Sequence, residues 1–178
     1  MILLYDAVFL VLAVLLQIVC GGVFFIPFPF AICGLLVIAM KYSDITAVVL
    51  AALCGTVIDF VCGREFSADG ISFPLAVAAG ALLLPKNPLR FLFGDYILPA
   101  VVAVFTSGML SVITPLFFGE SWFYLAGNSC DVVLSTVLSA GIFPLIVWMN
   151  DRAARKLDLP GIFVRTIKFA LRPARRQP

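Results

Sequence analysis

AVFLVLAVLLQIVCGGVFFIPFPFAICGLLVIAM, residues Ala7 to Met40, is a run of 34 residues without a formal charge. About 20 mostly apolar residues suffice for a helix to cross the ~30 Å hydrocarbon core of a bilayer. The run is too long for one such helix and too short for two long ones. Gly21-Gly22, Pro27 and Pro29 interrupt it midway, and clusters of Gly and Pro mark turns. The stretch therefore predicts a hairpin of two spans, roughly Ala7–Phe25 and Pro29–Met40.

The rest of the chain extends this pattern. Lys41 to Asp44 is a polar turn, and further spans are predicted over Ile45–Gly63, Ile71–Leu84, Tyr96–Phe118 and Val132–Met149. Of the 178 residues, 63% are hydrophobic and 12% charged, against about 25% charged in an ordinary soluble domain. These proportions exclude a soluble enzyme and a nucleic-acid binder. The expected fold is an all-α polytopic membrane protein with about six transmembrane helices in one bundle. Residues 1–150 would form the membrane domain and 151–178 a cytoplasmic basic tail. The start, Met1 to Asp6, lacks the basic region of a secretory signal, so the first apolar segment is expected to remain as a span.

The charges then give an orientation. With six spans, Lys41, Lys86, Arg90 and the eight basic residues after Met149 fall on one side, and Arg64 alone on the other. Lys and Arg accumulate in cytoplasmic loops, so both termini are expected to be cytoplasmic. Trp122 and Tyr124 fall where an outer aromatic belt would lie, and Trp148 near the inner one.

Several chemistries are absent from the letters. With no His, a Ser-His-Asp triad, a Cys-His dyad and His-ligated zinc or haem are excluded. The five cysteines show no C-x-x-C spacing and sit in apolar stretches, where cysteine behaves as a small hydrophobe. No Gly-rich nucleotide cradle occurs. A phosphatidyl-transferring enzyme would need clustered Asp residues for metal, whereas Asp59 stands alone in its span. No enzymatic activity and no cofactor or metal is expected.

The third span carries the most informative pattern. Ala47, Ala51, Gly55, Asp59 and Gly63 recur every four residues, so they share one helix face. Small residues let membrane helices approach closely, and a carboxylate at mid-bilayer costs roughly 2.5–3.5 kcal/mol on insertion scales. Ala51, Gly55, Asp59 and Gly63 are thus candidates for helix packing or for partner or ligand binding, and Gln17 in the first span joins them. The bland alternative has Asp59 reaching outer-face water or Arg64. Hydroxyls in the later spans, among them Thr106, Ser107, Ser135, Thr136 and Ser139, are expected to bond their own backbone or a neighbouring helix.

In the tail, Arg165, Lys168 and Arg172 share a helical face, with Phe163, Ile167, Ala170 and Leu171 largely opposite. Pro160 could start this helix and Pro173 would stop it. A short basic amphipathic C-terminal helix of this kind lies on anionic lipid, each Lys or Arg contributing about 1 kcal/mol.

Gly55-Thr56-Val57-Ile58-Asp59-Phe60-Val61-Cys62-Gly63 resembles the G-x-x-x-D-x-x-x-G signature of the bacterial rod-shape-determining protein MreD family. Leu15-Leu16-Gln17-Ile18 is similar to that family's first helix, and Phe143-Pro144 with the basic tail to its last. The family commonly has a Gly shortly after the signature, whereas here a longer loop, Arg64 to Asp69, precedes Gly70. The resemblance implies a non-enzymatic scaffold or regulator of cell shape in the bacterial inner membrane. Its implied partners are the bitopic protein MreC and, directly or through it, the elongation machinery of MreB, RodA and a transpeptidase. In its six-helix arrangement the family also looks like the substrate-binding subunits of energy-coupling-factor vitamin transporters. Capture of a small solute is therefore the alternative function. A vitamin pocket needs several convergent polar groups, and the spans offer one carboxylate, one Gln and scattered hydroxyls.

Overall fold

The computed structural model describes residues 2–24, 28–62, 68–84, 94–117, 122–157 and 159. Among them are six helices and no strand: α1 (Ile2–Phe24), α2 (Phe30–Lys41), α3 (Asp44–Val61), α4 (Ala68–Leu83), α5 (Gly94–Phe117) and α6 (Trp122–Lys156). Three stretches are long and apolar enough to cross a membrane: Ile2–Gly21, Asp44–Val61 and Ser129–Lys156. The apolar stretches of the other helices, Phe30–Lys41, Asp69–Leu83 and Ile97–Ile113, are shorter.

The helix α2 sits at the centre. It contains no polar residue before Lys41, and a helix that is apolar all round is stable only when covered. Ala31 through Ala39 are buried without a break, and α2 packs against all five other helices. At 12 residues it is about 18 Å long, a short plug enclosed by longer neighbours.

Consecutive helices pack side by side, and small residues set their separation. A Cβ on Gly80 of α4 would lie 2.9 Å from both the Pro99 carbonyl and the Ala103 Cβ of α5. One on Gly108 of α5 would lie 2.7 Å from Val132 of α6. The outward faces are aliphatic instead. Leu4, Val8, Val11, Leu15 and Val19 on α1, and Ile45, Val49, Leu53 and Val57 on α3, are exposed. Residues at such three- and four-residue steps line one side of a helix, a surface suited to hydrocarbon.

The first and last helices differ most from the expected spans. The first helix begins at Ile2 rather than near Ala7, and the last runs from Trp122 through residue 150 to Lys156. Charges at those places read as loops in the sequence. In the structure Asp6 is buried in an ion pair, and Asp151 is bonded one turn on to Arg155, so neither interrupts its helix. The hydroxyls follow expectation: Thr106, Ser135, Thr136 and Ser139 donate to carbonyls three or four residues back. Ser72 and Ser107 meet across α4 and α5 at 3.4 Å.

Candidate functional site

The small-residue face of α3 turns inward, with Ala47, Ala51, Gly55 and Asp59 buried. It meets the first turn of α4. A Cβ on Gly55 would fall 2.2 Å from the Asp69 carbonyl oxygen and 2.8 Å from the Gly70 nitrogen. Only glycine permits this approach, because a side chain would occupy the space of the neighbouring backbone. One turn further along α3, Asp59 is 3% exposed, and its Oδ2 accepts the Gly70 N–H at 2.9 Å. The first N–H groups of a helix have no partner within it, and a carboxylate suits the positive end of the helix dipole. Asp59 thus acts as a helix start for α4, supplied by another helix.

Gln17 does the same for α2. Pro29 precedes that helix and makes no side-chain cap bond. Instead the Gln17 Oε1 on α1 accepts the Ala31 N–H at 2.8 Å. Gln17 and Asp59 therefore serve different helix starts, both remote from the end of the bundle that carries Asp6. Ala51 and Gly55 share the α3 face with Asp59. Gly63 and Arg64 lie outside the described residues, as do Arg165, Lys168 and Arg172 with the expected tail helix.

The opposite end holds a polar cluster that reading by spans misses. The Lys41 ammonium at the close of α2 donates to Asp6 Oδ1 of α1 at 2.5 Å. The Tyr42 hydroxyl donates to Asp6 Oδ2 at 2.6 Å. Lys41 also lies 5.1 Å from the centre of the Tyr5 ring, a cation–π distance. The Tyr5 hydroxyl donates to the Asn150 carbonyl at 3.2 Å, which ties α6 to α1. A signal was present in the sequence: Asp6 and Lys41 bracket the charge-free run, and folding that run as a hairpin brings its brackets together.

Chemically, these groups link helices. Among the described carboxylates, Asp6 and Asp59 accept from donors beyond their own helix and Asp151 from Arg155 one turn along its own, and no group of three metal-binding side chains gathers among the described residues. No family model, curated protein or solved structure matches the chain.

Proposed function

We propose that this chain is a non-enzymatic membrane scaffold, a regulator of cell shape that acts in the cell-wall elongation complex beside an MreC-like bitopic protein. The observation that carries the reading is the junction of Gly55 and Asp59 with the first turn of α4. These are the fixed Gly and Asp of the segment resembling the MreD signature, and in this chain they shape the bundle itself. Gln17, in the other quoted stretch, has the equivalent task at α2. A protein whose intramembrane polar groups join its own helices presents outward a rigid apolar surface, which suits a transmembrane partner better than a solute. In this reading α2, α4 and α5 also cross the bilayer, giving six spans with both termini cytoplasmic, as the Lys and Arg distribution favours.

The test is affinity purification of the tagged chain from bacterial membranes, joined to depletion in the same cells. The reading expects a bitopic coiled-coil protein to co-purify and rod cells to round up as the chain is depleted. Unchanged shape on depletion, with a transport ATPase as the co-purifying protein, would overturn it in favour of solute capture.

A further inference from the structure

Val137, Gly141, Leu145, Trp148, Arg152 and Lys156 follow one another along α6 at steps of three or four residues, and all six are exposed. Such spacing places them on one face. The face is graded: aliphatic first, then an indole, then two cations. Gly141 leaves a notch in its aliphatic part, since no heavy atom lies within 4 Å of where a Cβ would sit. Further along, the Arg152 guanidinium lies 5.1 Å from the centre of the Trp148 ring, and Lys156 is one turn beyond. From Gly141 to Lys156 the axis rises about 22 Å, close to the reach of one acyl chain with its headgroup.

The described acids leave the charge on this face unpaired. Asp151 is buried and bonded to Arg155, and among the described residues neither Arg152 nor Lys156 stands in an ion pair. Tryptophan favours the headgroup level of a bilayer, and basic side chains at a helix end extend toward it. We propose that this stripe binds one anionic phospholipid. Its acyl chain would run through the notch at Gly141, its glycerol region would lie against Trp148, and its phosphate would sit between Arg152 and Lys156. Charge complementarity selects the occupant, because a zwitterionic headgroup brings a cation of its own to a site that already holds two. The site rests on α6 crossing a membrane and is independent of any role in cell shape. It is also separate from Arg165, Lys168 and Arg172.

The chain has two tryptophans, so Trp122→Phe leaves Trp148 as the sole fluorophore. The full chain with that change is placed in vesicles of phosphatidylcholine and phosphatidylglycerol, with bromine on the acyl chains of one lipid or the other. Trp148 should be quenched by brominated phosphatidylglycerol well beyond its mole fraction. Arg152→Gln or Lys156→Gln should lower that preference roughly fivefold, and the two together about thirtyfold. Arg152→Lys should retain most of it. High salt should weaken the preference of the unsubstituted site, which needs no assumption about how variants fold. Equal quenching by the two lipids would overturn the proposal. Relief of quenching by added inorganic phosphate would also overturn it, since the site would then take a free anion. So would a preference lost on Arg165, Lys168 and Arg172→Gln but kept by the double α6 variant.

Discussion

Asp6 and Asp59 are both buried acids on apolar helices, and they accept from different kinds of donor. Asp6 faces side chains, the Lys41 ammonium and the Tyr42 hydroxyl. Asp59 accepts from backbone, the Gly70 N–H at the beginning of α4. Lys41 closes α2 and offers a full charge, whereas α4 begins beside α3 and offers unpaired N–H groups. The comparison teaches that a buried acid can bond to a helix start as well as to side-chain donors. The bond to a helix start needs a glycine such as Gly55, which lets the two backbones approach.

The largest expected effect falls at the Asp6 end. Lys41→Ala strands a buried carboxylate, and removing one partner of a buried pair costs about 3–5 kcal/mol. Thermal unfolding in detergent should show this loss, and Asp6→Lys combined with Lys41→Asp should recover part of it. If the swap recovers nothing, the pair is incidental and the contrast with Asp59 collapses.

Next comes Gly55→Ala. Even a single methyl meets the Asp69 carbonyl oxygen at 2.2 Å, so the cost should reach the upper part of the roughly 1–3 kcal/mol typical of overpacking. Alanine at Gly141, where the same methyl meets nothing within 4 Å, provides the control and should unfold like the parent chain.

Asp59 separates charge from hydrogen bonding. Asp59→Ala removes the acceptor and should destabilise the chain by about 1.5–3 kcal/mol, the range for a bond to a charged group. Asp59→Asn keeps an oxygen at nearly the same place and should lose less than half of that. Smallest of the series, Gln17→Leu should cost about 1 kcal/mol, because a neutral amide is replaced at a single N–H. Urea or heat titration of the three variants side by side gives the ranking. An effect of Gln17→Leu larger than that of Asp59→Ala would contradict the view that charge strengthens the cap.

Much of this architecture was legible from one-letter patterns. Charge-free runs and the Gly and Pro breaks between them located five helices to within about five residues, whereas α6 begins at Trp122, well before the expected Val132, and ends at Lys156, well after Met149. The four-residue spacing of Ala47, Ala51, Gly55 and Asp59 identified the inward face of α3. Helix ends were harder, because a charge reads as a boundary until its partner is known. Asp6 finds Lys41 across 35 positions and Asp151 finds Arg155 on the next turn, so α1 and α6 continue through residues that look like termini. The bond between Asp59 and Gly70 had no letter to announce it, since its donor is a backbone N–H that every residue except proline carries. The same holds for Gln17 and Ala31.

Hydrogen exchange at the Gly70 amide tests most directly whether Asp59 serves as the helix start of α4. In isotope-labelled chain held in micelles, this amide should exchange slowly in the parent protein and nearly as slowly in Asp59→Asn. In Asp59→Ala it should exchange about 10- to 100-fold faster, the factor that corresponds to one charge-assisted bond. A Gly70 amide that exchanges at the same rate in all three proteins would contradict the account.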